Sequence, residues 1–181
     1  MARGRMTLGL YNSYDPVKFA EAHRRAIARA APVALAFDAN VATFGFPFDR
    51  DLRTPQQLAA WVSGTTSIGE EGKYLRELAE AGRLLTFDFP RRGFPPQLGD
   101  VVVTTNRPDA KKAVDAVFLA RLLDQGTSFV LVFGLGPHGL DDRDVLPLGR
   151  YHFDLTGRGI MLETATAIGA APALIAAHLS S

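Results

Sequence analysis

The stretch Ser128-Phe-Val-Leu-Val-Phe133, followed at once by Gly134-Leu-Gly136-Pro-His-Gly139, decides the fold. Its first half is a nearly continuous run of β-branched and aromatic residues, as expected for a strand of a parallel sheet covered on both faces. Its second half matches G-x-G-x-x-G, the spacing with which a dinucleotide-binding turn cradles a pyrophosphate, and Asp154 lies twenty residues after Gly134. That turn requires a long helix after the third glycine, with its N-terminus facing the phosphate. Only Leu140 to Arg150 separate Gly139 from the next strand candidate, Tyr151 to Leu155, and they include Pro147 and Gly149. One or two helical turns fit there, too few for a dinucleotide-type crossover. The motif also comes at residue 134 of 181, too late for the unit that would follow it. The glycines are therefore expected to let the backbone approach a ligand closely.

Upstream of this stretch, strands and helices alternate. Thr7 to Tyr11 reads as a short buried strand, and Asp15 before Pro16 as the N-cap of a helix running to about Ala30. Pro32 cannot continue that helix's hydrogen bonding, so Pro32 to Asp38 is expected to form a separate turn before the strand Val41 to Phe46. Thr54 and Gln57 make a capping box around Pro55, opening a helix that Gly64 ends. A second helix, Glu70 to Ala81, stops at Gly82. Leu84 to Phe89 and Val101 to Thr105 are strands, separated by the loop Pro90 to Gly99. Asp109 to Leu123 reads as a helix, with Ala113, Val114, Val117 and Ala120 at helical spacing. From Met161 onward a helix presents Ala165, Ala167, Gly169, Ala170, Ala171 and Ala173. It has so little bulk on one face that it must pack closely on the sheet, the glycine loop or a second subunit. The pattern predicts one α/β domain with a mainly parallel sheet and helices on both faces.

Composition agrees with a folded, water-facing chain. The 181 residues suit one domain, and 47% hydrophobic with 22% charged residues argues against disorder or fibrous repeats. Twenty Lys and Arg against nineteen Asp and Glu exclude binding through bulk positive charge, though a local basic face remains open. The absence of cysteine excludes disulfides, thiolate metal sites and a cysteine nucleophile. Thr164 to Leu179, the longest uncharged apolar stretch, is too short and too interrupted to span a membrane. The first residues lack a signal-peptide run, so a cytoplasmic location is expected.

Three other clusters have two readings each. His138, Asp141, Asp142, Asp144 and His152 fit neither zinc nor calcium spacing and read as a solvated acidic loop, so no metal site is expected. Ser63 to Gly69 reads equally as a phosphate loop or as capping before Glu70. Arg91, Arg92 and Phe94, with Lys111 and Lys112, read as an RNA-contacting set or as solvated surface. No G-x-S-x-G is present, so a nucleophile-elbow hydrolase is unsupported.

Strand, glycine loop, short link, strand and small-residue helix together resemble the C-terminal half of the SPOUT methyltransferases, whose fold carries a trefoil knot. Val132-Phe-Gly-Leu-Gly-Pro-His-Gly-Leu140 looks like the SpoU-type motif of a hydrophobic strand entering Gly-Asn-Glu-x-x-Gly-Leu. Phe153-Asp-Leu-Thr-Gly-Arg-Gly-Ile-Met-Leu-Glu163 resembles Ile-Pro-Met-x-Gly-x-x-x-Ser-Leu-Asn. The whole chain is also similar to an uncharacterised archaeal family grouped with these enzymes, through Gly9 to Pro16, Gly93 to Pro96 and Leu162 to Gly169. The resemblance implies a knotted C-terminus, S-adenosylmethionine as cofactor, a homodimer, and tRNA or rRNA as substrate, with a ribose 2'-hydroxyl as the leading acceptor. It places Phe133, Gly134 and Leu135 on one side of the cofactor, Phe153 and Leu155 on a second, and Ile160 and Leu162 on a third. Gly136, Gly139 and Gly157 supply further close approaches. The family's catalytic arginine falls on Arg29, with Arg25 as the alternative, while Arg24, Arg25 and Arg29 read equally as a solvated helix face. Its Glu falls on Gly136, and its Ser and Asn fall on Met161 and Glu163. Those departures leave Glu163 as a local base or a helix-terminal acid. They also leave open a knotted RNA- or nucleotide-binding protein without catalysis.

Overall fold

The computed structural model describes residues 1–48, 52–65, 69–137, 139–140 and 143–181. Its strands are β1 (Met6–Tyr11), β2 (Ala39–Phe44), β3 (Leu84–Phe87), β4 (Asp100–Thr104), β5 (Ala113–Val114), β6 (Phe129–Gly134) and β7 (Tyr151–Phe153). They form one sheet in the order β3-β2-β1-β6-β4-β7-β5, with every pairing parallel. The helices are α1 (Glu21–Ala36), α2 (Pro55–Thr65), α3 (Gly72–Glu80), α4 (Ala116–Asp124) and α5 (Thr164–Ala176).

Strand alternation sorts the core into two layers. Leu8, Leu10, Val41, Leu131 and Phe133 point to one face, where Ile27, Leu58, Leu75, Leu119 and Ile168 bring in all five α-helices. Ala42, Phe44, Val103, Val130 and Val132 point to the other, which Leu98, Leu140, Val145 and Leu146 close. Those covering residues come from loops that hold single 3₁₀ turns, Pro96–Leu98 and Leu146–Leu148. The expected helices on both faces thus take the form of α-helices on one and 3₁₀ turns on the other. The small-residue helix α5 lies against α1 and α4 and touches β6.

Three helices differ from expectation by three residues or more at an end. First, α1 begins at Glu21 rather than Pro16, because Asp15 caps a tight turn: its Oδ1 accepts from Val17 N at 2.8 Å and Lys18 N at 3.0 Å. The same helix runs through Pro32 to Ala36. Proline costs a helix interior about 3 kcal/mol, but stopping at residue 30 would strip Ala31, Val33, Ala34 and Leu35 from the core. Second, residues 109–115 are not helical. Ala113 and Val114 pair with β7, and Asp115 caps α4 by accepting from Phe118 N at 2.8 Å. Tertiary pairing outweighs helical spacing there. Third, the last helix starts at Thr164 rather than Met161.

Strand β7 is made last yet lies between β4 and β5. Residues 105–112, which join those two strands, cross β7 on the face away from the α-helices. There Asp109 N donates to His152 Nδ1 at 3.0 Å and His152 N donates to Lys112 O at 2.9 Å. His152 Nε2 then donates to Leu146 O at 2.9 Å, so both ring nitrogens of this buried residue are used in fixing the crossing.

A second buried histidine fixes the end of β1. Ala20 N donates to His23 Nδ1 at 3.0 Å, and Nε2 donates to Asn12 Oδ1 at 2.8 Å, an arrangement only the neutral ring can make. Asn12 Nδ2 in turn donates to Asp15 O and Gly45 O. Burial holds the His23 pKa below its ordinary value of 6.5, and the nearby Asp15 opposes this more weakly. In the unfolded chain the ring takes a proton near its ordinary pKa, whereas in the folded chain it does not until lower pH. Stability from this group is therefore complete above about pH 6.5 and is lost as pH falls below it, towards the folded value. Thermal melts from about pH 7 to pH 5 are expected to show this decline, and His23→Gln should flatten it. An unchanged decline in the variant would assign the effect elsewhere.

Candidate functional site

Parallel sheets place ligand sites outside the carboxyl ends of their strands, and a cleft with mainly apolar walls lies there. It measures about 430 Å³ and is walled by the segments that follow β4, β6 and β7 and by the start of α5. The β6 segment contributes Phe133 to Pro137, Gly139 and Leu140, the β7 segment Asp154, Leu155 and Ile160 to Glu163. Thr104 to Arg107 come from the β4 segment, and Thr164 and Ala167 from α5.

Of the residues expected in a site, Phe133, Gly134, Leu135, Gly136, Gly139, Leu155, Ile160, Leu162 and Glu163 meet in this cleft. Phe153 does not line it: strand alternation turns its ring into the helical core, where it is 2% exposed. Gly157 lies at a turn with φ 62° that folds the β7 segment, outside the lining. Arg29 is exposed on α1, away from the cleft of its own chain, as is Arg25, which pairs with Glu21 at 2.9 Å. His138, Asp141 and Asp142 of the acidic loop, and Thr66, Ser67 and Ile68 of the hydroxyl-rich loop, lie outside the described residues. No cluster of three potential metal ligands occurs among the described residues, and no described helix is long and apolar enough to cross a membrane.

The cleft is held by bonds between distant segments. Ser13, at the end of β1, accepts through Oγ from Leu135 N at 3.0 Å and Gly136 N at 3.1 Å. A Cβ on Gly136 would lie 2.6 Å from Ser13 O, and one on Gly134 would lie 2.7 Å from the Gly139 carbonyl carbon. The glycine loop can sit this close to β1 only without side chains at those positions. The β7 segment is wound on Asp154, whose Oδ1 accepts from Thr156 N at 3.2 Å and Oδ2 from Gly159 N at 2.8 Å. Asn106 Nδ2 donates to Gly159 O at 3.2 Å, and Thr164 Oγ1 donates to Gly134 O at 3.0 Å, joining the walls.

Two acids line this space. Both oxygens of Asp154 are used in its own turn. Glu163 caps α5 through Oε2, which accepts from Thr166 N at 3.2 Å, while Oε1 has no partner among the described residues. Ser13 and Thr164 lie in stretches that carry the family resemblance but were given no role there, and no motif marks Asn106; Ser13 acts on Leu135, 122 positions away. The order of strands, which puts the end of β4 beside that of β6, was the missing signal.

The cations expected to contact RNA are not gathered together. Lys112 Nζ donates to Gly149 O at 2.8 Å and to Pro147 O at 3.3 Å, a structural tie. The Phe94 ring packs edge-on against Phe44 at 4.9 Å, in the sheet's second core layer. Arg91, Arg92 and Lys111 are exposed.

The comparisons with known proteins agree with this geometry. Residues 6–176 match the family described as "Protein of unknown function (DUF531)". An uncharacterised protein of Methanocaldococcus jannaschii is 43% identical over 171 residues, covering 94% of this chain and 93% of its own. Among solved structures, a probable methyltransferase from Bordetella pertussis is similar with a TM-score of 0.63 at 15% identity, over 98% of this chain and 97% of that one. A protein from a structure giving insight into 2-OH methylation of C/U34 on tRNA has a TM-score of 0.56 at 16% identity, over 97% of this chain and 96% of its own. The SpoU methyltransferase AviRb from Streptomyces viridochromogenes, in complex with AdoMet, has a TM-score of 0.53 at 14% identity, over 98% of this chain and 58% of its own. Sheet order, cleft position and family match meet in one statement: the chain belongs to the DUF531 family and has the α/β fold of the SpoU-like SPOUT methyltransferases.

Proposed function

We propose that the cleft binds S-adenosylmethionine and that the protein methylates RNA, with a ribose 2'-hydroxyl as the acceptor. The observation that carries this is the cradle itself. The backbone from Gly134 to Gly136, pinned to β1 by Ser13, faces apolar walls from Leu155, Ile160 and Leu162 across a volume within the roughly 300–1,000 Å³ typical of ligand pockets. Apolar walls suit the faces of an adenine ring, and the polar rim at Asn106, Asp154 and Glu163 suits a ribose and an amino acid. Similarity to an AdoMet-bound structure and to one concerned with tRNA 2-OH methylation supports the same reading.

The bound sulfonium would supply an electrophilic methyl group. This chain's residues would then have to align the acceptor and take its proton. Glu163, whose Oε1 has no partner among the described residues, is the residue we assign to the proton. Arg29, outside its own cleft, serves the reaction only if a second copy of the chain brings it there, so the reading includes a homodimer. Threading of the C-terminal segment is part of the same proposal. Residues 105–112 cross β7 on one face, and the chain leaves β7 for α5 on the other, as a trefoil knot requires. An RNA substrate would place the protein in the cytoplasm.

Calorimetric titration with S-adenosylmethionine, NAD and adenosine tests the cleft: the first is expected to bind tightest, and tighter binding of NAD would overturn the reading. Glu163→Gln and Arg29→Ala should both keep wild-type affinity for S-adenosylmethionine and lose at least tenfold in methyl transfer, about 1.4 kcal/mol of barrier. The Arg29 variant should do so only where sedimentation shows a two-chain species. Unimpaired transfer by Glu163→Gln would remove it as the base. Glu163→Ala also lacks the α5 cap and should cost about 1 kcal/mol of stability. A knotted binding protein without catalysis is the alternative, favoured by Gly136 standing where the enzymes it resembles have Glu. Cofactor binding without transfer to any RNA would select it.

A further inference from the structure

Resting on the methyltransferase reading, we propose that the acceptor strand of RNA runs along the carboxyl ends of β1, β2 and β3 into the cleft. Tyr14 is the platform on which an unpaired base stacks. Tyr14 directly follows Ser13, the residue that holds the glycine loop, and is 52% exposed. Its position is fixed from below. Tyr14 N donates to Asn12 Oδ1 at 3.2 Å, Asn12 is locked by the His23 network, and the His23 ring meets the Tyr14 ring edge-on at 5.7 Å. A large aromatic ring half in water beside a ligand cleft, on a backbone that cannot move freely, is suited to stacking a base.

The surface continues from there. Two residues on, Pro16 lines a groove of about 530 Å³ whose far side holds Phe89, Asp88 and Arg91. The Arg91 guanidinium has no ion pair among the described residues and is exposed. Because the sheet order is β3-β2-β1-β6, Arg91, Tyr14 and the glycine loop stand in one row. Three strand spacings span the row, about 14 Å, which a few nucleotides of single strand cover. Asp88 shares the groove, so its charge is balanced. Stacking on Tyr14 must then carry most of the affinity, and Arg91 accounts for one phosphate contact.

The probe is a short single-stranded oligoadenylate carrying one 2-aminopurine, read by fluorescence with S-adenosylmethionine present. Tyr14→Ala is expected to weaken its binding about 5- to 150-fold, the range for loss of one base–aromatic stack. Tyr14→Phe, which keeps the ring, should stay within about twofold. Arg91→Ala should flatten the dependence of log affinity on log salt by about 0.7, one phosphate contact on a single strand. All three should bind S-adenosylmethionine as the wild type does. Wild-type oligonucleotide affinity in Tyr14→Ala would overturn the proposal and leave the methyltransferase reading intact. A wild-type protein that binds S-adenosylmethionine but no oligonucleotide would overturn it together with the RNA part of that reading.

Discussion

Gly99→Ala is expected to lower the melting temperature by roughly 8–16 °C, the shift that a loss of about 4 kcal/mol produces in a domain of this size. Gly99 has φ 83° and ψ −148°, a region that residues with a side chain essentially do not adopt. A Cβ built there would lie 2.1 Å from Ser128 O and 2.5 Å from the Ser128 carbonyl carbon. That carbonyl cannot turn aside, because Asp100 N donates to it at 3.0 Å to open the β4–β6 ladder, whose first pair is Asp100 with Phe129. Backbone strain of about 1–3 kcal/mol adds to an overpacking cost of about 1–3 kcal/mol, and both fall at the start of two central strands. Gly82→Ala is the control. It has a comparable φ of 69° but open space at the Cβ position, so it should pay only the conformational part, about 1–2 kcal/mol. Calorimetric melts of the two variants separate the effects; equal shifts would show that the contact with Ser128 is not what requires glycine.

This strain was invisible in the sequence, where Gly99 is one of several loop glycines. What the sequence does carry is periodicity and punctuation. Ser128 to Phe133 reads as a strand covered on both faces, and Leu140 to Arg150 as too short a link for a dinucleotide fold; among the described residues of that link the structure has only the 3₁₀ turn Leu146–Leu148. The Thr54–Gln57 capping box is present in both directions, with Gln57 N donating to Thr54 Oγ1 and Thr54 N donating to Gln57 Oε1, each at 3.1 Å. Where local rules failed, partners distant in sequence decided. Residues 109–115 were bent out of a helix by β7 and by His152, and Asp15 caps a turn because Asn12 and His23 fix the chain around it. The candidate site follows the same division. Two of its walls lie in motifs that could be quoted from the sequence. The third, Thr104 to Arg107, and the Ser13 tie exist only because the sheet order is β1-β6-β4.

The second large effect is expected at Gly136, and it turns that tie into a test of the proposed cofactor cleft. Sequence comparison alone suggests restoring the Glu found in the enzymes this chain resembles, and so a gain of function. The geometry forbids it. The Cβ of any side chain at Gly136 would meet Ser13 O at 2.6 Å, and Ser13 is held on both sides of that atom. Its N donates to Tyr11 O at 2.9 Å, and its Oγ accepts from Leu135 N and Gly136 N. Relief therefore requires the whole loop after β6 to swing away from β1, carrying Gly134 and Leu135 out of the wall they form. Gly136→Ala and Gly136→Glu should each weaken S-adenosylmethionine binding by at least tenfold, about 1.4 kcal/mol. The Glu variant should be the worse, because its longer side chain adds bulk and a negative charge to the same displaced loop. The loop lies at the rim of the sheet, so the accompanying loss of stability should remain about 1–3 kcal/mol, and both variants should still fold. Ser13→Ala keeps the backbone but removes the hydroxyl that two N–H groups share, and should give a smaller loss of affinity. Titration calorimetry ranks the four proteins directly. Wild-type affinity in Gly136→Ala would mean that the methyl donor does not bind against this loop, and the assignment of the cleft would fall with it.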